Sequence, residues 1–290
     1  MTLAPLLANA AALGAAYALM AIGFVLVLNA VGAVNFAHGD WVVAGGFATV
    51  LVAGVLPLPA ILLLPLVIVA MMALGLLCGL VAYLPLRDRP PTAVFVSTIA
   101  VGIVIQQGLT AAFGAAPRAT PALLGEGAAA LPWLGLSGQQ AATLAAAAVL
   151  IGGLAWLLER TRLGRWLRAS AQDPEIARSL GIPVTAMTLA SFAAAAGLAG
   201  AAGLMTGHEL FLTPTDGGQF MLKAYIAVTI GGWGRIGGAA VGALVIAAFE
   251  VVGAALVSYV WAEAALYATL LLVLAFRPQG LLGEAARVRA

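Results

Sequence analysis

The chain has 290 residues, of which 63% are hydrophobic and 8% are charged, and its mean hydropathy is +1.10. A soluble domain carries roughly 25% charged residues, so this composition excludes an ordinary soluble protein. The net charge is +2, and the basic residues stand beside apolar segments, where the orientation of a membrane protein explains them without any nucleic-acid partner.

The first apolar segment, 8–30, predicts a membrane helix rather than a secretory signal, because no lysine or arginine precedes it. The 35 glycines and the many alanines are typical of closely packed helices, and not of a lipid-facing barrel. We therefore expect an all-α integral membrane protein, a polytopic bundle of 8–9 transmembrane helices that forms one domain over 1–290. The further predicted spans are 41–56, 60–85, 92–113, 141–158, 185–206, 219–232, 238–259 and 262–276.

Two of these segments, 41–56 and 219–232, are short for a membrane span. Short or broken helices are stable in a membrane only where other helices shield their backbone, so we expect both near the centre of the bundle, lining or bordering a path. Each lies next to a glycine-rich break between apolar runs. Inverted repeats in transporters leave such breaks at corresponding places in the two halves, but too few residues match between these two stretches to establish a repeat. With nine spans the amino terminus lies outside; if 41–56 does not span, it lies inside.

Arginines predict the orientation of the chain. They cluster at 87–89, at 160–178 and at 277–289, and loops rich in arginine remain on the cytoplasmic side of a membrane. The loop 114–140 then lies outside, and the number of spans between the clusters agrees with this assignment.

The stretch 159–183 is the largest polar island and the predicted cytoplasmic loop. Asp173 is a typical helix N-cap, Pro174 suits the first helical position and Gly181 suits the stop, so the sequence predicts a short helix from Pro174 to Leu180. Ile176 and Leu180 lie one turn apart and share an apolar face with Ala177 beside them. This face is too small for a core of its own and suits a groove on a cytoplasmic partner.

A few polar side chains fall within the predicted spans, where they are costly and often functional. Lys223 either snorkels to the interface or lines the path, and Glu250 needs a partner or a wet cavity, with structural pairing favoured over substrate contact. For His38 we favour a structural role, in which the ring forms hydrogen bonds inside the protein, over a role as a pH switch. The candidate residues of the translocation path are Asn35, His38, Gln106, Lys223 and Glu250.

Motifs of catalysis and of nucleotide binding are absent from the sequence. No GxxxxGK[ST] segment occurs, so we expect no ATPase site, and 232–237 fits GxGxxG only between apolar spans, which favours close helix contact over dinucleotide binding. Two histidines and the single Cys78 predict no metal site, no disulfide and no cofactor. We expect a transport subunit and not an enzyme.

Four segments, in order, resemble one family. The stretch GRWLRASAQDPEIARSLGIP resembles the ATPase-contacting loop of ABC importer permeases. Asn35 to Gly39 resembles an NFAHG motif, 222–232 resembles a KAF…GG segment, and 277–283 resembles an RPxGxxG end. Together they are similar to the branched-chain amino acid ABC transporter permeases, in their smaller, LivH-type subunit.

The resemblance implies a bacterial inner-membrane importer with several components. It implies a second, LivM-like permease subunit, two ABC ATPase subunits, a periplasmic binding protein that delivers leucine, isoleucine or valine, and contact with membrane lipid. Trp233 and Arg235 depart from the usual smaller or less charged residues of that turn. The residues that match the ATPase-coupling loop are Gly164, Asp173, Ala177, Gly181 and Ile182.

Three alternatives to a branched-chain importer stay open. First, members of this family also carry urea, short amides and other amino acids. The second alternative is a secondary transporter or channel independent of ATP, but a carrier coupled to protons or ions would carry more acidic or histidine residues at membrane depth. The third is a membrane scaffold that transports nothing.

Overall fold

Residues 3–125 and 136–276 are described by the computed structural model. These residues form a bundle of α-helices, and eight of the helices are long and apolar enough to cross a membrane, which confirms the predicted all-α membrane architecture. The helices are α1 (Leu3–Val31), α2 (His38–Val55), α3 (Ala60–Cys78), α4 (Pro91–Phe113), α5 (Gly138–Arg160), α6 (Arg162–Gln172), α7 (Pro174–Ser179), α8 (Val184–Leu210), α9 (Gly217–Gly231), α10 (Ile236–Leu256) and α11 (Tyr259–Phe276). Helix α3 continues as a π-helical turn (Gly79–Tyr83) and a 3₁₀ turn (Leu84–Leu86).

The bundle has two ends. One, the arginine-rich end, holds Arg87 and the segment 160–183; the other, the opposite end, holds 56–59 and 114–125, where Ala60 N donates to Ala122 O. Helix α1 starts at the opposite end, where its residues 12–16 lie beside the end of α8, and finishes at the arginine-rich end. The start of α1 and the arginine-rich loop therefore lie at opposite ends of the bundle.

Helices α2 and α9 are short because both begin inside the bundle. His38, the first residue of α2, contacts the carbonyl of Met20 in the middle of α1. Gly39 packs against Gly217, the first residue of α9. From this junction α2 runs to the opposite end and α9 runs to the arginine-rich end. The prediction of two short central segments is confirmed, although α9 has 15 residues and falls below the length of a full span.

The chain forms two sets of four helices that run in the same order and in opposite senses. In the first set, α1 and α3 run toward the arginine-rich end, α4 runs away from it, and the short α2 runs away from it starting in the middle of the bundle. In the second set, α8 and α10 run away from the arginine-rich end, α11 runs toward it, and the short α9 runs toward it starting in the middle. The two short helices occupy corresponding places in the sets. This is the inverted arrangement that the glycine-rich breaks in the sequence suggested without establishing.

Close helix contact depends on glycine at a few positions. A Cβ at Gly45 would collide with the backbone of Gly200, and one at Gly231 would collide with the backbone of Gly238. These contacts join α2 to α8 and α9 to α10, because small residues allow membrane helices to approach each other. The segment 232–237 therefore connects two helices that touch at Gly231 and Gly238, and this is the close helix contact that the sequence predicts.

Helix bounds differ from the predicted ones mainly at their starts. Helix α2 begins at His38 instead of at 41, and α5 spans Gly138–Arg160 instead of 141–158. Polar residues at a helix start do not show in an apolar window, which explains these differences. The predicted carboxyl-terminal motif, 277–283, and the arginines after it lie outside the described residues.

Candidate functional site

The arginine-rich loop contains two helices, of which the sequence predicts one. Helix α5 ends at Arg160, the Thr161 hydroxyl accepts a hydrogen bond from Gly164 N at 3.0 Å, and α6 follows at once. A Cβ at Gly164 would collide with the backbone of Leu157 and Leu158, so only glycine allows α6 to fold back against the end of α5. Helix α6 was missed, but Leu163 and Leu167, spaced by four residues, could have indicated it.

Helix α7 has the predicted caps. The Asp173 carboxylate accepts hydrogen bonds from Glu175 N and Ile176 N, both at 3.0 Å, and Gly181 ends the helix with φ at 79°. Ile182 N donates to Ala177 O at 3.0 Å and closes the last turn. The helix runs from Pro174 to Ser179, with Leu180 as its C-cap, one residue shorter than predicted.

The apolar residues of α7 face in two directions. Ile176 is 59% exposed and Leu180 is 73% exposed, whereas Ala177 is 1% exposed. The prediction that Ala177 shares the outward face is therefore corrected: its methyl group packs against the bundle and anchors the helix. The outward face consists of Ile176 and Leu180, and no described residue covers it.

The junction of α2 and α9 forms a polar site in the middle of the bundle. The Asp40 carboxylate lies in the first turn of α2, and a Cβ at Gly217 would collide with it. Gln106 of α4 donates its side-chain amide to Asp40 Oδ1 at 2.9 Å. The free backbone N–H groups at a helix start favour negative charge, so two helix starts and one amide stabilise this buried carboxylate.

Asp40 was missed as a site residue. Its sequence signal is an acidic residue directly before an apolar segment, and such residues within membrane helices are functional candidates. The sequence could not show that α9 begins beside it, because Asp40 and Gly217 are far apart in the chain.

A cavity of about 490 Å³ opens beside Asp40 and Gln106 on one face of the bundle. Its other walls come from the break before α2, from α4, from the turn before α9 and from the start of α9: Phe36, Ile99, Ile103, Thr215, Gly218, Gln219, Met221 and Leu222. Gln219 and Thr215 are exposed on this face, and so is Gln107, one turn after Ile103. Exposed amides at membrane depth are costly against lipid, so this face suits protein or water.

Lys223 of α9 and Glu250 of α10 form a buried pair that does not line the cavity. Lys223 Nζ is 2.8 Å from Glu250 Oε1 and 3.0 Å from the Tyr17 hydroxyl, and that hydroxyl donates to Glu250 Oε2 at 3.1 Å. The Lys223 and Glu250 side chains are 4% and 5% exposed. The ammonium group therefore does not reach an interface, and the cluster joins α1, α9 and α10 away from the cavity.

Asn35 and His38 lie behind Asp40, at the break before α2. Asn35 Oδ1 accepts from Ala37 N at 3.1 Å, and His38 Nε2 donates to Met20 O at 2.9 Å. Both residues are buried, and within the described residues Asn35 Nδ2 and His38 Nδ1 have no hydrogen-bond partner. The structure thus brings Gln106 to the cavity wall, places Asn35 and His38 behind it, and pairs Lys223 with Glu250.

The sequence of the whole bundle matches one family. Residues 6–275 match the family described as "Branched-chain amino acid transport system / permease component". The chain belongs to this permease family. The match covers both sets of helices, the junction and the arginine-rich loop, so the family assignment rests on the complete bundle.

Two branched-chain amino acid permeases are similar to the chain over nearly their full length, and a third permease is similar over part of its length. The chain is 29% identical to the high-affinity branched-chain amino acid transport system permease protein BraD of Pseudomonas aeruginosa, over 96% of this chain and 95% of BraD. It is 30% identical to LivH of Escherichia coli, over 95% of this chain and 94% of LivH. The autoinducer 2 import system permease protein LsrC of Escherichia coli is 29% identical over 60% of this chain and 50% of LsrC. Among solved structures, none matches the chain significantly.

Proposed function

We propose that this chain is the membrane-spanning permease subunit of an ABC importer in a bacterial inner membrane, and that it translocates branched-chain amino acids delivered by a periplasmic binding protein. The arginine-rich end is cytoplasmic, the amino terminus is periplasmic, and two ABC ATPase subunits drive the cycle. The similarity to BraD and LivH, whose names state this transport, supports the substrate class.

The observation that carries the proposal is the cavity where the starts of α2 and α9 meet. In membrane transporters, broken helices at the midplane supply the polar groups of the substrate site. Asp40 supplies a carboxylate here, and Gln106 supplies an amide. A zwitterionic amino acid needs such groups, and the apolar wall of Ile99 and Ile103 suits its aliphatic side chain.

We infer that the second permease subunit packs against the open side of the cavity. Gln107, Thr215 and Gln219 are exposed on this face of the described bundle, and a lipid contact there would leave their polar groups unsatisfied. A second, LivM-like permease against this face turns the open cavity into an enclosed path. This chain then supplies half of the path, with Gln106 on its wall and Asn35 and His38 as the layer behind.

Force reaches the bundle through α7. Ile176 and Leu180 are exposed at the arginine-rich end, and they suit a groove on an ATPase subunit, as an amphipathic helix does. Gly164, Asp173, Gly181 and Ile182 hold this helix in place through the contacts described above. ATP-driven closure of the ATPases moves α7, and rocking of the two permeases opens the path.

The test is uptake of labelled leucine by proteoliposomes that contain the assembled importer. We expect Gln106→Ala and Asp40→Asn each to lower uptake about tenfold or more, since the first removes a hydrogen bond to a charged group and the second removes the charge itself. Val104→Ala is the matched control, because Val104 is on the same helix, is 70% exposed and does not line the cavity.

Wild-type uptake in both cavity variants would contradict the proposed path. Uptake of urea, short amides, other amino acids or autoinducer 2 in place of leucine would support the role as an importer subunit and contradict the proposed substrate. Uptake that proceeds without ATP would instead indicate a secondary transporter.

A further inference from the structure

An apolar groove of about 440 Å³ lies at the arginine-rich end, on the side of the bundle away from the junction cavity. Its walls come from α1, α3, α5, α6 and α8, and its volume falls in the range of roughly 300–1,000 Å³ typical of ligand pockets. Ser191 is the only polar residue among the described walls, and its hydroxyl donates to Met187 O within α8. The groove therefore offers contact to hydrocarbon and no hydrogen-bonding site.

Helix α6 closes the groove at the arginine-rich end of the bundle. Leu163 and Leu167 point into the groove, while three arginines follow the other side of the same helix. Trp166 lies between these two faces and is 38% exposed. A helix with an apolar face, an arginine face and a flanking tryptophan is typical of the boundary between lipid tails and headgroups.

The three arginines carry charge that the described residues do not neutralise. Arg162, Arg165 and Arg168 are exposed, and none of them forms an ion pair or a side-chain hydrogen bond within residues 3–125 and 136–276. Guanidinium groups bind phosphate oxygens in a bidentate fashion, and basic sites between membrane helices bind anionic headgroups. The charge next to the groove thus favours a lipid with a net negative headgroup over a neutral one.

We propose that the groove and α6 form a binding site for an anionic phospholipid. One acyl chain lies in the groove against Leu163 and Leu167, and the headgroup phosphate contacts the arginines beside Trp166. An empty groove would forfeit the contacts of its apolar walls, so a chain in it stabilises the packing of α5 and α6 on α8. The site goes beyond the transport path, since it shares no wall residue with the cavity at Asp40.

The experiment uses Trp166 as a reporter in the full chain reconstituted in bilayers. Brominated phosphatidylglycerol and brominated phosphatidylcholine quench tryptophan on contact, and the Trp166→Phe variant gives the signal to subtract for the other tryptophans. We expect phosphatidylglycerol to be preferred at Trp166 by at least about fivefold, which corresponds to one arginine engaging an anionic headgroup.

Two matched triple variants separate charge from packing. Arg162→Gln, Arg165→Gln and Arg168→Gln together should abolish the preference, whereas the same three positions changed to lysine should retain it. Equal quenching by the two lipids in the wild type, or a preference that survives the glutamine variant, would overturn the proposal. Absence of quenching by either lipid would show that no lipid reaches Trp166, and would overturn it as well.

Discussion

Lys223 and Glu250 show how a membrane bundle tolerates two buried charges. Each is costly alone at this depth, but the pair is short, and Tyr17 bonds to both partners. The cluster links the short helix α9 to α1 and α10. We therefore infer a structural role in holding α9, the helix whose start forms the cavity.

Removal of one member of this pair should destabilise the chain more than removal of both. Glu250→Leu or Lys223→Met leaves one unpaired buried charge, which costs about 3–5 kcal/mol, whereas the double variant leaves none. The measurement is the thermal unfolding midpoint of the purified chain, followed by fluorescence-detected size exclusion. If the double variant loses as much stability as the sum of the two single losses, the two residues are not coupled.

The sequence shows that these two residues need partners but not which partners they find. A lysine and a glutamate within apolar segments are costly at membrane depth, so their sequence positions already indicate that each needs a partner. The answer depends on Tyr17 of α1, which is distant in sequence and has an unremarkable local pattern. The same holds for Asp40 and Gln106, whose contact requires that α2 and α4 pack side by side.

At the scale of elements, the junction of α2 and α9 depends on glycine. Gly39→Ala would place a methyl group against the backbone of Gly217 and the amide of Met221, so the two helix starts would have to separate. We expect a loss of about 1–3 kcal/mol of stability, as overpacking typically causes, and a loss of leucine uptake.

Gly54→Ala is the control for Gly39→Ala on the same helix. No described atom lies within 4 Å of a Cβ at Gly54, so this change should be neutral or mildly stabilising. Thermal unfolding and uptake are measured for both variants. Equal effects of the two substitutions would show that the close approach at the junction is not important.

The proposed coupling helix, α7, gives a second prediction at this scale. Leu180→Asp places a charge on the outward face, and it should abolish ATPase docking and transport while membrane insertion stays normal. Leu180→Met keeps the face apolar and should retain both activities. The measurement is copurification of the ATPase subunits together with uptake; undiminished copurification with Leu180→Asp would contradict the docking role.

Elements with local signals are the ones that the sequence predicts well. The caps of α7, Asp173 and Gly181, act within a few residues of the helix, so their role follows from local chemistry. The outward direction of Ile176 and the inward direction of Ala177 depend on where the bundle lies, and sequence alone assigned Ala177 to the wrong face. Short apolar segments indicated α2 and α9, but only long-range packing shows that their starts meet.

At the scale of the whole molecule, the two inverted sets of helices place the junction cavity and α7 at different depths. The junction cavity lies at the middle of the bundle, and α7 lies at the arginine-rich end. A movement of α7 can reach the cavity through α8, which contacts α7 near its start and α2 along its length. This arrangement suits a subunit that has no nucleotide motif of its own and is driven by a partner.

The most direct test of this account is thiol cross-linking in the assembled importer. Leu180→Cys introduces an exposed thiol into a chain whose single native cysteine, Cys78, is buried, and Gly54→Cys provides the matched thiol at the opposite end. The account predicts that Leu180→Cys cross-links to an ATPase subunit on the cytoplasmic side and that Gly54→Cys does not. Labelling of Leu180→Cys by an impermeant thiol reagent from the periplasmic side, without any cross-link to the ATPase, would contradict it.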